Sequence, residues 1–108
     1  MEQSIKKLLI RLGITSNYYG HHYILHSLQL LMSGEEDLLL ITKRLMPHVA
    51  RLNNTSYNNA ERNIRHAITI AWRTNPELME ELAGRKLAQK PSIGEFLSIL
   101  LYAVKYGE

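Results

Sequence analysis

The chain has 108 residues, of which 45% are hydrophobic, so it is long and apolar enough to build one core without covalent staples. Its net charge is +3 and it contains no cysteine, which excludes a disulfide framework and thiolate zinc sites and fits a cytoplasmic protein. Its apolar runs are far shorter than the ~20 residues that cross a bilayer, so we expect no membrane partner.

Apolar residues recur at helical spacing from the start of the chain. The spacing predicts a first helix that ends at Gly13, a second from about Gly20 to Gly34, and a third region that begins in the acidic run 35–37. The apolar stripe of this third region continues past Pro47. One kinked helix satisfies that pattern, and so do two helices with Pro47 in the first turn of the second.

Residues 53–73 predict a short turn that leads into a helix with two unlike faces. One flank is apolar and comprises Tyr57, Ala60, Ile64, Ala67, Ile68 and Ala71. The opposite flank is polar and basic and comprises Asn58, Arg62, Arg65, His66, Thr69 and Arg73. The first face requires a core, whereas the second either contacts an anion or stays solvated.

The start of this helix has three candidate caps, Thr55, Ser56 and Asn58. Asn58 and Glu61 have the spacing of a capping box, in which the Glu61 carboxylate accepts a hydrogen bond from an amide at the helix start. A contact between Glu61 and DNA is the alternative. The sequence leaves both roles of Glu61 open.

Positive charge is concentrated in this part of the chain. Residues 38–73 contain six Lys and Arg and one Glu, a net charge of +5, whereas the remaining residues carry a net charge of −2. A basic segment that can also fold, and so present its charge rigidly, has the electrostatic pattern expected for contact with phosphates.

Two further helices are predicted beyond the basic one. The pattern Asn75-Pro76-Glu77 predicts a short helix that Gly84 closes, followed by a basic loop over 85–90. A last helix begins at Ser92 and continues to about Tyr106. Its apolar residues lie on most sides, which is typical of a core helix.

No strand pattern interrupts these helices, because period-two alternation and hairpin turns are missing from the sequence. The predicted fold class is therefore all-α. We expect a single domain over residues 1–108, a compact bundle of about six helices. The order of helix, four-residue turn and basic helix over about 47–73 is a helix-turn-helix pattern.

At residues 47–72, PHVARLNNTSYNNAERNIRHAITIAW, this pattern resembles the C-terminal DNA-binding domain of the stage 0 sporulation response regulator of spore-forming Gram-positive bacteria. The likeness continues in both directions over essentially the whole chain. It implies an all-helical domain that reads the major groove of promoter elements with a TGTCGAA-like core, as two domains in tandem. The family's regulators also carry an N-terminal receiver domain. No receiver sequence is present here, so we expect either an excised domain or a free-standing relative.

The resemblance also implies roles for single residues. Glu61 and Arg62 match positions that approach base edges, and Arg65 and His66 match positions against the backbone and nearby bases. These roles suit the chemistry, because one Arg can bond guanine O6 and N7 together and a carboxylate can accept from a cytosine amino group.

The sequence departs from the family at two positions of the basic helix. Asn59 stands where an Arg that reaches DNA is common, and Asn63 stands where a small residue is usual. We therefore expect site preference or affinity to differ from the family's.

The predicted DNA contacts form two groups. Base contacts are predicted for Asn59, Glu61 and Arg62. Contacts with the groove or backbone are predicted for Arg51, Thr55, Ser56, Asn58, Arg65, His66, Arg73, Lys86 and Lys90. The expected partners are double-stranded DNA, a second copy in tandem on DNA and, by the resemblance, RNA polymerase sigma factor. No cofactor is expected.

Other functions find less support in the residues. His22 and His26 are four apart and invite a metal site with His21, but no further ligand is close in sequence, so we expect surface histidines. No phosphate loop, nucleophile elbow or thiol indicates an enzyme. The alternative function is a helical protein-interaction module that keeps the fold and modulates a full-length regulator without binding DNA.

Overall fold

Helices make up the regular secondary structure of residues 2–107, the part of the chain that a computed structural model describes. These residues contain no strand, and the predicted all-α fold class is confirmed. Within them lie six α-helices: α1 Glu2–Arg11, α2 Tyr19–Ser33, α3 Met46–Leu52, α4 Tyr57–Thr74, α5 Pro76–Ala83 and α6 Ile93–Tyr106. Across the same range, no helix combines the length and the apolar character needed to cross a bilayer.

All six helices contribute apolar side chains to one core. Its fully buried members include one from each helix in turn: Leu9, Leu28, Val49, Ile64, Met79 and Phe96. Helix α2 is buried on most of its surface, whereas α6 is buried mainly over its first half. The second half of α6 exposes Tyr102 and Tyr106. The prediction that α6 is a core helix is therefore confirmed for its first half.

Helix α2 crosses α4 at Gly20, where the two helices approach closely. A Cβ atom at Gly20 would lie 2.5 Å from the carbonyl oxygen of Asn63 and 2.8 Å from the Cβ of Ala67. Only glycine leaves room for α4 at this distance. The crossing therefore holds α4 against the centre of the core at the middle of its length.

The third helical region consists of three consecutive segments of different helix types. A 3-10 turn over Leu38–Leu40 leads into a π-helical turn over Ile41–Leu45, and α3 continues from it at Met46. Pro47 lies in the first turn of α3, as one of the two predicted alternatives had it. The π-helical turn was not predicted, because its longer hydrogen-bonding period leaves no simple repeat in the sequence.

Side-chain caps begin the last three helices. Ser56 caps α4 by accepting a hydrogen bond from the Asn59 N–H at 3.1 Å. Asn75 caps α5 and Ser92 caps α6 in the same way, and Gly84 ends α5, as predicted. Local sequence signals therefore set these helix boundaries correctly.

The predicted capping box of Asn58 and Glu61 is wrong. Asn58 is the second residue of α4 and is exposed, because Ser56 already occupies the extended cap position. The Glu61 carboxylate bonds to the side chains of Tyr57 and Arg65 instead of to a backbone amide.

Candidate nucleic-acid interface

Helix α4 presents to solvent the face that was predicted to be polar. Its apolar face lies in the core, where the buried residues are Ala60, Ile64, Ala67, Ile68 and Ala71. The exposed residues of its outer face are Asn58, Arg62, Arg65, His66 and Arg73. Because one face is fixed by packing, the cations on the other are carried by a rigid element.

The turn between α3 and α4 is four residues long, from 53 to 56. Asn54 has a positive φ of 52°, a left-handed conformation that Asn adopts more readily than most residues. The Thr55 N–H closes the turn by donating to the Ala50 carbonyl at 2.9 Å. The turn therefore carries the chain directly from α3 into the capped start of α4.

The predicted base-contact residues Asn59 and Arg62 lie side by side on α4. Nη2 of Arg62 donates to Oδ1 of Asn59 at 2.8 Å. Arg62 is exposed, whereas Asn59 is half-buried and bonds to residues around it. The guanidinium has five N–H donors, so most of them stay available to an outside acceptor.

Glu61, the third predicted base-contact residue, forms an ion pair with Arg65. Oε1 of Glu61 lies 3.0 Å from Nη1 of Arg65, and Oε2 accepts from the Tyr57 hydroxyl at 3.1 Å. The Arg65 side chain is 63% exposed, so this pair adds little to stability. A carboxylate has about four acceptor sites, which leaves Glu61 able to accept a further hydrogen bond.

Lys90 reaches α4 from the loop between α5 and α6. Its Nζ donates to the Thr69 hydroxyl at 2.8 Å, and that hydroxyl donates to the Arg65 carbonyl at 3.1 Å. An open cleft of about 510 Å³ lies between the loop and α4, with Arg65, Lys90 and Ser92 among its lining residues. The structure thus brings Lys90 to the basic face of α4.

The other predicted contacts are distributed around this face. His66 is exposed on α4 and meets the Tyr18 ring edge to face, with 5.9 Å between ring centroids. Thr55 and Ser56 use their hydroxyls locally, as partners of Asn59. Each hydroxyl oxygen keeps further bonding capacity at the surface.

Two predicted phosphate contacts lie outside the basic face of α4. Arg51 is exposed in the last turn of α3, next to the turn rather than on α4. Nζ of Lys86 lies 3.6 Å from Oε1 of Glu80 in α5, and the Lys86 side chain is 95% exposed. Such an exposed pair leaves the Lys86 ammonium free to exchange partners.

A buried carboxylate that sequence reasoning missed supports α3. Glu36 is 8% exposed and accepts from Nδ1 of His48 at 2.7 Å and from Nε of Arg44 at 3.2 Å. The hydrogen bond from His48, and then the bond and charge of Arg44, hold the pKa of Glu36 below its ordinary value of 4.5 despite burial. The sequence offered only an acidic run, in which Asp37 does cap the 3-10 turn through the Leu39 N–H.

The three early histidines serve the fold in different ways. His21 is buried with Nδ1 2.9 Å from the Ile14 carbonyl oxygen, so its prediction as a surface residue is wrong. His22 is exposed with Nε2 3.0 Å from the Ser16 carbonyl oxygen, and His26 is half-buried. Within residues 2–107, no three His, Asp or Glu side chains converge on a metal position.

A four-residue turn that joins α3 to a helix with a buried apolar face and an exposed basic face has the element order of a helix-turn-helix DNA-binding domain. The family model described as "Sporulation initiation factor Spo0A C terminal" matches residues 5–104, and the chain belongs to this family. The resemblance seen in the sequence is thereby confirmed. The family consists of DNA-binding domains of a sporulation regulator rather than of enzymes.

Proposed function

We propose that this protein is a sequence-specific transcription regulator that inserts α4 into the DNA major groove. The observation that carries the proposal is the exposed basic face of α4 on a core-anchored helix, in a chain of a DNA-binding family. A helix of this kind fits the width of the major groove, where base edges present distinct patterns of donors and acceptors.

The residues of the face divide between reading and positioning. Arg62 reads a guanine through O6 and N7, and Glu61 accepts from a cytosine amino group. Arg65 and His66 approach the backbone and nearby bases. The proposed phosphate contacts, which orient the domain without reading sequence, are Arg51, Thr55, Ser56, Asn58, Arg73, Lys86 and Lys90.

We further propose a TGTCGAA-like target read by two copies in tandem, from the family resemblance. One recognition helix covers only a few base pairs, so useful specificity requires a second copy on the DNA. The same proposal includes contact with RNA polymerase sigma factor and a cytoplasmic location.

The experiment that tests this proposal is fluorescence anisotropy with a labelled duplex bearing two tandem TGTCGAA-like elements and a scrambled duplex, over a series of salt concentrations. Wild type is expected to prefer the tandem duplex and to lose affinity steeply as salt rises. Arg62→Ala is expected to lose about 1–3 kcal/mol on the tandem duplex and much less on the scrambled one.

Lys105→Ala is the matched control, because it removes one exposed cation at the far end of α6. Lys105 lies roughly 18 Å along α6 from its start, at ~1.5 Å per residue. Its loss should leave the preference unchanged. An equal loss on both duplexes for Arg62→Ala would contradict base reading by Arg62.

A protein-interaction role is the second candidate, and the exposed apolar residues favour it. Leu39 is 89% exposed, and Tyr102 and Tyr106 are exposed at the end of α6. The salt dependence of binding separates the two functions. Phosphate contacts weaken steeply as the salt concentration rises, whereas apolar contacts barely weaken. Absence of DNA binding at low salt would favour this second function.

A further inference from the structure

The side-chain amide of Asn59 makes three close hydrogen bonds within the protein. Its Nδ2 donates to Thr55 Oγ1 at 2.7 Å and lies 3.5 Å from the Tyr23 hydroxyl, at the outer limit for a hydrogen bond. Its Oδ1 accepts from Arg62 Nη2 at 2.8 Å and from Asn63 Nδ2 at 3.1 Å. An amide has two donors and two acceptor positions, so both acceptor positions and one donor are occupied, and the second donor has only the long contact with the Tyr23 hydroxyl.

These bonds form a short chain that starts in the turn and ends on the exposed face of α4. The Thr55 hydroxyl holds one end of the Asn59 amide, and the other end holds the Arg62 guanidinium. Asn59 is also fixed at its backbone, because its N–H donates to the Ser56 cap. The orientation of Arg62 is thereby tied to the turn between α3 and α4.

We propose that Asn59 is a positioning residue that sets the specificity of Arg62 and does not itself contact a base. This inference rests on the proposed function of α4 as the reading helix. A long Arg side chain loses rotamer freedom when it binds DNA, which costs binding free energy. The side-chain oxygen of Asn59 holds Arg62 in the free protein, so part of this entropy is lost before DNA binds. Direct reading of an adenine by Asn59 also needs its amide oxygen, so it would instead break the bond to Arg62 or to Asn63.

A double-mutant cycle of Asn59→Ala and Arg62→Ala tests this role, with the tandem and scrambled duplexes as probes. In wild-type background, Asn59→Ala should lower the ratio of the two affinities by about 3- to 10-fold, the effect of one side chain losing its order. In the Arg62→Ala background, the same change should leave the ratio unmoved. An equal loss in both backgrounds, or no loss in wild type, would overturn the proposal.

Thr55, at the other end of this series of hydrogen bonds, supplies a matched pair of variants. Thr55→Val keeps the shape of the side chain but removes the hydroxyl that holds Asn59, and it should lower the affinity ratio in the same direction. Thr55→Ser keeps the hydroxyl and should restore the ratio. Equal ratios for the two variants would show that the bond to Asn59 has no effect.

A measurement without DNA separates this inference from the proposed function. The ¹⁵N relaxation of the Arg62 Nε reports how ordered the guanidinium is in the free protein. We expect Asn59→Ala to lower that order while circular dichroism keeps the helical signal of wild type. Unchanged order would overturn the positioning role, whether or not the protein prefers the tandem duplex.

Discussion

Lys90 shows how a residue distant in sequence joins the basic face. It lies 21 residues after Thr69 and bonds to the Thr69 hydroxyl, and it lines the same cleft as Arg65. An ammonium is a compact charge with no preferred base partner, which suits it to phosphate contact.

Lys90→Ala should therefore weaken binding to the tandem and scrambled duplexes by the same factor. The slope of log affinity against log salt should become shallower by about one, the loss of one phosphate contact. Anisotropy titrations at several salt concentrations measure both quantities, with Lys105→Ala as control. A change of preference between the duplexes would assign Lys90 to base reading instead.

Glu36 joins the end of α2 to the π-helical turn and to α3. It follows α2, and its carboxylate bonds to Arg44 in the π-helical turn and to His48 in α3. Arg44 is one of the six cations that make residues 38–73 basic, yet it is paired in the fold. The exposed cations of α4 itself are Arg62, Arg65 and Arg73.

Glu36→Gln should lower the free energy of unfolding by about 1–3 kcal/mol at neutral pH, because a buried acceptor of charged hydrogen bonds is lost. The pKa of Glu36 is lowered from 4.5 in the folded state. The carboxylate therefore stabilises the fold fully at pH values above 4.5, and this stabilisation is lost as the pH falls through the folded-state pKa. Urea unfolding at a series of pH values should show the variant approach wild type at acidic pH. Glu81→Gln, at an exposed carboxylate in α5, is the control; a difference independent of pH would contradict this account.

Gly20→Ala should destabilise the crossing of α2 and α4 by about 1–3 kcal/mol, as overpacking does. The added Cβ would meet the Asn63 carbonyl, which is backbone and cannot move alone. Gly94→Ala is the comparison, because its Cβ would meet only the Ile41 Cδ1 at 3.1 Å, the end of a flexible side chain. Thermal unfolding of both variants decides the point, and equal midpoints would contradict a tight crossing.

The helices of this molecule were predictable because their sequence signals are local. The caps Asn75 and Ser92 and the apolar spacing of α4 lie within a few residues of the structure they specify. The two faces of α4 follow from the same periodicity, so the candidate site was predicted as a surface.

The bonds within that surface were less predictable. The pairs of Glu36 with His48 and of Lys90 with Thr69 depend on how separate segments pack, which no spacing in the sequence specifies. Asn59 and Arg62 are close in sequence, but the side-chain amide of Asn59 can form hydrogen bonds with DNA or with neighbouring residues. Only the surroundings of Asn59 reveal that both acceptor positions of its amide are occupied.

The π-helical turn over Ile41–Leu45 places one residue more in its turn than an α-helix would. The turn therefore accommodates the equivalent of a one-residue insertion in an α-helix. The Met46 N–H donates to the carbonyl of Ile41, five residues back, instead of to the residue four back. The leucines before it belong to a separate 3-10 turn, because Leu40 leaves the helical conformation at φ −122° and ψ 42°. Removing one residue within Ile41–Leu45 would therefore return this turn to ordinary α-helical winding without changing the direction in which α3 presents its side chains.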